Sequence, residues 1–153
     1  FAALCCVATM IVQIPTVAGY TNLGECMCLL AGLVLGPWYG FFAAGIGSGL
    51  ADLLAGYGHY VPGTFVIKGL VALVAALVYK KMGRTQVSRI VGGVVGEIVM
   101  VLGYFGYASL LLGKGLAAAA SIPGNIFQGT VGLVVGVLLV AVLERAKVTE
   151  KLA

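Results

Sequence analysis

Hydrophobic residues run along this chain in long blocks, broken by short polar or glycine- and proline-containing intervals. The blocks lack both the two-residue alternation of a half-buried strand and the wide polar face of a surface helix. The first runs from Phe1 to about Ile14 and stops at Pro15, before a polar, glycine-containing loop over Thr16 to Asn22. The second covers about Leu23 to Leu35 and ends in the tight turn Gly36-Pro37-Trp38-Tyr39-Gly40. The third, about Phe41 to Ala55, leads into a loop from Gly56 to Gly63, and the fourth runs from about Thr64 to Tyr79. A polar interval from Lys80 to Arg89 precedes the fifth, about Ile90 to Leu112. After Gly113-Lys114-Gly115 and an alanine run, the sixth extends from Pro123 to about Leu143. A membrane-crossing helix takes about 20 residues. The chain of 153 residues therefore has room for roughly six such helices joined by short loops.

Composition strengthens this picture. The chain is 61% hydrophobic and 9% charged, against roughly 25% charged residues in a soluble domain. The expected fold is an all-α integral membrane protein, a six-transmembrane-helix bundle forming one domain over residues 1–153. The sequence starts at Phe1 rather than Met, inside an apolar run with no charged n-region, which reads as a chain lacking a short N-terminal tail rather than as a signal peptide.

Charge sets the expected orientation. Lys80, Lys81, Arg84 and Arg89 lie together with no acid between them, and the tail Glu144 to Ala153 carries Arg145, Lys147 and Lys151. By the positive-inside rule both intervals are cytoplasmic. An even number of spans puts them on one side, with both termini inside, and leaves Lys114 as the basic residue of the outward loops. The net charge of +4 is thereby explained by orientation rather than by nucleic-acid binding. Cys5, Cys6, Cys26 and Cys28 lie in apolar stretches and read as small hydrophobic residues. Cys26 and Cys28, two apart, point to different helix faces and make no metal pair. Gly32 and Gly36, Gly45 and Gly49, Gly92 and Gly96, and Gly132 and Gly136 stand at the small-xxx-small spacing that lets helix backbones approach.

Ionisable groups inside a bilayer are costly and are functional candidates by default. Asp52 sits about one turn before the outer end of the third helix and Lys68 about one turn after the outer start of the fourth. They are expected to pair, either to fix helix packing or to hold substrate. Glu25 opens the second helix, where the positive end of the helix dipole suits a carboxylate. Glu97 has no basic partner at its depth and is open to three roles: a protonated acid, a pocket-floor group, or a contact with a partner subunit. The outer half also gathers Gln13, His59, Tyr60, Tyr104, Tyr107, Asn125 and Gln128. Aromatic faces to stack a planar ring and amides to read its edge make a small-molecule pocket. Asn125 and Gln128, three apart, share one helical face, and Pro123 leaves exposed N–H groups nearby. For Tyr104 and Tyr107 an interfacial aromatic belt is the competing account.

Enzyme signatures are absent. The single histidine supports neither a two-His metal site nor a Ser-His-Asp set. Gly45-Ile46-Gly47-Ser48-Gly49 follows an apolar helix and has no closing Lys-Ser or Lys-Thr, so it is not a nucleotide loop. Any ATP-driven work belongs to another chain. Two other classes share such a hydrophobic bundle, an assembly protein without a ligand and a self-sufficient channel or transporter. The latter needs an inverted repeat or a polar path through both leaflets, and the polar groups here concentrate in one half.

Ile14-Pro15-Thr16-Val17-Ala18-Gly19-Tyr20-Thr21-Asn22-Leu23-Gly24-Glu25 and Leu35-Gly36-Pro37-Trp38-Tyr39-Gly40 resemble the substrate-binding S component of energy-coupling factor (ECF) vitamin transporters. So do the segments from Gly47 to Tyr57, from Pro62 to Leu70, and from Ser121 to Gln128, in the same order. The resemblance covers essentially the whole chain and looks closest to the branch associated with hydroxymethylpyrimidine and pyridoxine-like vitamins. Riboflavin or thiamine is the alternative. It implies a six-helix prokaryotic plasma-membrane subunit that topples to carry vitamin inward, and partners comprising a transmembrane T subunit and two cytoplasmic ATPases that use the ATP. It implies no cofactor in this chain and a vitamin pocket near the outer face, where the residues read above as candidates are Gln13, Asp52, His59, Tyr60, Lys68, Tyr104, Asn125 and Gln128. It also implies T-subunit contact through small residues of the first helix, here Ala2, Ala3 and Cys6. The family often has Asp where this chain has Glu25.

Overall fold

The computed structural model describes residues 1–16 and 19–149. Val17 and Ala18 of the first loop, and Lys151 of the basic tail, lie outside the described residues. The chain folds as α1 (Ala2–Ile11), a hairpin of β1 (Gln13–Thr16) and β2 (Gly19–Asn22), then α2 (Gly24–Leu35), α3 (Pro37–Leu54), α4 (Val61–Lys81), α5 (Gln86–Gly106) and α6 (Ile122–Arg145). Among the described residues there are thus six helices, as the hydrophobic blocks require.

The hairpin departs from expectation. The stretch expected as the end of the first helix and a loop pairs antiparallel, Gln13 opposite Asn22, Ile14 opposite Thr21 and Thr16 opposite Gly19. Pro15 and the β-branched Ile14, Thr16 and Thr21 suit extended backbone, so α1 ends at Ile11, short of Gln13.

Local chemistry sets the helix ends. Gly36 adopts φ +87° and donates its N–H to the Gly32 carbonyl at 3.0 Å, a left-handed cap that a side chain would strain. Its role is therefore to end α2 rather than to pack against another helix. Pro37 starts α3 directly after it, and Pro62 and Pro123 occupy the first turns of α4 and α6. Thr85 caps α5 by accepting the Ser88 N–H at 3.2 Å.

With their short flanking turns, Gly58–Lys81, Gln86–Leu111 and Gly115–Arg145 are long and apolar enough to cross a membrane. The helices α1 and α2 are apolar but span 10 and 12 residues. A core of Leu29, Ile67, Val71, Ala75 and Met100 joins α2, α4 and α5, and a second of Cys5, Cys28, Ala44 and Ala72 joins α1 to α4. Several glycines sit where backbones meet. A Cβ on Gly32 would lie 2.3 Å from the Ala72 carbonyl oxygen, one on Gly45 2.6 Å from that of Phe65, and one on Gly92 2.6 Å from that of Ala75.

Hydrogen bonds gather the hairpin and the α3–α4 and α5–α6 connections at one end. Tyr107 donates to the His59 carbonyl at 2.7 Å and Lys114 to the Tyr60 hydroxyl at 3.0 Å. At the other end Arg89, expected as the last residue of the basic loop, lies in α5, is buried, pairs with Glu144, and donates to Gln86 Oε1 at 2.7 Å. Tyr79 donates to the other Glu144 oxygen at 3.0 Å, so this clasp ties α4, α5 and α6 together.

Candidate functional site

The hairpin is fastened across the bundle end by three bonds. Tyr20 donates its hydroxyl to Asp52 Oδ1 of α3 at 2.5 Å, Thr21 to the Gly124 carbonyl of α6 at 3.5 Å, and the Asn22 N–H to Gln128 Oε1 at 2.9 Å. Beneath it lies a cavity of about 70 Å³. The hairpin contributes Thr16, Tyr20 and Asn22, α3 and the loop after it Asp52, Tyr57 and Tyr60, and α5 Tyr104. Ser121, Asn125 and Gln128 close the α6 side.

Asp52 is the focus of the wall. It is 7% exposed, yet both of its oxygens are met by hydroxyl donors, Tyr20 on one and Thr64 on the other, each at 2.5 Å. Because Thr64 gives its proton to Asp52, its oxygen accepts from Tyr104 at 3.0 Å. Two hydroxyl arms thus end on one carboxyl group, the arrangement an acceptor-only carboxylate requires. Burial, and next the bond to the Asp52 carboxylate, push the Tyr20 hydroxyl up from its ordinary value, which keeps it a donor.

The expected Asp52–Lys68 pair is not formed. Lys68 pairs instead with Glu25 of α2, and both are fully enclosed. Lys68 also contacts Met100 Sδ at 3.1 Å, and Gln128 Nε2 reaches the same Glu25 oxygen at 3.4 Å. Spacing along adjacent antiparallel helices placed Lys68 and Asp52 at one depth, but Thr64, one turn earlier on the same face of α4, meets Asp52 instead, so Lys68 lies one turn deeper, at Glu25 of α2. Glu25 is correspondingly a buried ion-pair partner rather than a solvent-side cap. This pair lies beneath the cavity, and Gln128 connects the two levels by holding Glu25 with its amide nitrogen and the hairpin with its amide oxygen.

Five expected site residues, Asp52, Tyr60, Tyr104, Asn125 and Gln128, do line the cavity. Gln13 is exposed on β1, and His59 is exposed at the rim, its ring 4.8 Å from that of Tyr60. Neither is among the lining residues, and Lys68 lies below them. Tyr20, Asn22, Tyr57 and Thr64 were not anticipated. The available signal was composition, since Thr16, Tyr20, Thr21 and Asn22 put more hydrogen-bonding side chains in one short interval than a linker needs. On α1, Ala3 is exposed along a stripe with Leu4 and Val7, while Cys6 is buried and Ala2 packs its carbonyl against Gly47.

Glu97 lines a separate groove of about 330 Å³ between α5 and α6, among Val94, Ile98, Ile126 and Leu133. Both of its oxygens are buried without a hydrogen-bond partner among the described residues. The bare backbone of Gly129 makes room for them, since a Cβ there would lie 2.5 Å from Glu97 Oε2.

An apolar helical bundle with one polar, aromatic-walled cavity under a hairpin defines a membrane protein that binds a small molecule. Residues 1–145 match the family model of the ECF-type riboflavin transporter S component. A protein of Pyrococcus woesei described as an uncharacterized protein in gap 3'region is 42% identical over 133 residues, 85% of this chain and 87% of that protein. The chain belongs to the ECF transporter S-component family. It is therefore a membrane transport subunit concerned with vitamin uptake, in a family that is not one of enzymes and that works with T and ATPase subunits.

Proposed function

We propose that this chain is the vitamin-capturing subunit of an ECF importer in a prokaryotic plasma membrane. All six helices span, both termini are cytoplasmic, and the hairpin faces outward. The observation that carries this is the polar cavity under the hairpin in a chain otherwise built for lipid. Charge supports the orientation: Lys80, Lys81 and Arg84 lie at the end opposite the hairpin, while Lys114 is the basic residue of the hairpin end.

The vitamin is small and of one ring, of the hydroxymethylpyrimidine or pyridoxine type. Aromatic walls on one side and the Asn125 amide on the other suit a single substituted ring. The ring lies among the tyrosines, with Asn125 and Gln128 at its edge. Energy comes from ATP used by two cytoplasmic ATPases through a T subunit, which docks on the exposed stripe of α1 around Ala3.

Purification in mild detergent followed by mass spectrometry of the released small molecules tests this. A one-ring B vitamin should co-purify, and preparations that stay empty and bind none of a vitamin panel would defeat the proposal. Gln128→Ala unlatches the hairpin and should weaken binding by about 1 to 3 kcal/mol, read by calorimetry. Unchanged affinity would remove Gln128 from the site. Ala3→Trp should leave binding intact and abolish uptake by the assembled transporter, and normal uptake would place docking elsewhere.

A further inference from the structure

Charge is not balanced around the cavity. Glu25 and Lys68 neutralise each other below the floor, so Asp52 is left without a cation at salt-bridge distance among the described residues. Its hydroxyl partners orient it without neutralising it. The other basic side chains at this end, Lys114 and His59, are exposed at the rim and held against Tyr60, Lys114 by a bond to its hydroxyl and His59 by a ring contact at 4.8 Å. Around Asp52 stand aromatic rings, Tyr20 and Tyr57 with centroids 5.0 Å apart and Tyr60 and Tyr104 6.4 Å apart. All four line the cavity with it.

A buried carboxylate is costly without a counter-charge, and tyrosine faces attract cations through their quadrupoles. A neutral ligand would satisfy the rings and leave the carboxylate as it is. A cation would satisfy both. We infer that the cavity selects a basic nitrogen heterocycle bound as its cation, with a ring or amidine N–H directed at Asp52 and the ring face among Tyr20, Tyr57, Tyr60 and Tyr104. This inference rests on the cavity being the vitamin site and narrows the class of vitamin it takes. It also assigns Asp52 the discriminating role, with Asn125 left to read uncharged substituents.

The test compares two nearly isosteric ligands on the purified full chain by calorimetry. One is 4-amino-5-hydroxymethyl-2-methylpyrimidine, whose amidine-like nitrogen accepts a proton. The other is its 4-oxo analogue, which is far less basic. The amino compound should bind about 10- to 100-fold tighter, as expected for a charge-assisted bond, and Asp52→Asn should reduce that ratio to near one. Pyridoxine and thiamine, as other nitrogen bases or cations, should be preferred over neutral riboflavin.

Equal affinity for the pair, or tighter binding of riboflavin than of any basic ligand, would overturn the inference while leaving vitamin capture standing. Failure of every vitamin in the panel to bind would overturn both. Should Asp52→Asn fail to fold, the ratio on the native chain decides alone.

Discussion

Lys68→Met is expected to destabilise the protein by about 3 to 5 kcal/mol, the usual cost of removing one partner from a buried ion pair. Glu25 would then stand in an enclosed site without its ion-pair partner. One of its oxygens already lacks a partner among the described residues, and only the Gln128 amide, at 3.4 Å, would remain for the other. The loss should appear as a markedly lower unfolding temperature in detergent. Pairing the change with Glu25→Gln removes the stranded charge and should recover most of the stability, because an uncharged pair of similar volume avoids the desolvation cost. A single variant as stable as the native chain would show that the Lys68–Glu25 pair does not hold α2 to α4. A double variant no better than the single one would show that the damage comes from lost packing rather than from an orphaned charge.

The second large effect is steric. Gly32 lies at the crossing of α2 with α4, and an added Cβ would sit 2.3 Å from the Ala72 carbonyl oxygen and 2.9 Å from its Cα. Those atoms are helix backbone, so no rotamer change relieves the clash and α4 must move as a body. The neighbouring α3 closes the other side, since a Cβ on Gly40 would lie 2.6 Å from the Gly32 Cα. Gly32→Val should therefore cost about 3 kcal/mol or more, the upper part of the range for overpacking a close-packed site. It should also lower the yield of folded protein in gel filtration. Gly58→Ala is the internal control, because nothing lies within 4 Å of a Cβ there and its φ is not in the left-handed range. Equal behaviour of the two variants would mean that α2 and α4 do not approach as closely as described.

Both effects were half legible beforehand. The chain's glycines announced close helix contacts through their four-residue spacing, and Gly32, Gly45 and Gly92 make them. The same spacing included Gly36, whose conformation serves a cap instead, because spacing cannot distinguish a missing side chain from a required positive φ. The candidate site shows a similar split. Asp52, Tyr104, Asn125 and Gln128 were found because polar and aromatic groups are out of place in lipid. Tyr20 and Asn22 were missed because polar residues in a connection need no explanation until the connection folds back as a hairpin and closes the cavity.

Along the chain, the hydrophobic blocks and the prolines and glycines between them were enough to determine an apolar helical bundle with six helices. These features act through local propensity and transfer from water, and each is written within a few residues. Pairing was decided by the tertiary structure alone. Residue number put Lys68 level with Asp52, but the axial offset between neighbouring helices is set by how their side chains interlock, and it brings Thr64, one turn before Lys68 on the same face, to Asp52. That one-turn offset gave Lys68 to Glu25 and left Asp52 to the hydroxyls of Tyr20 and Thr64.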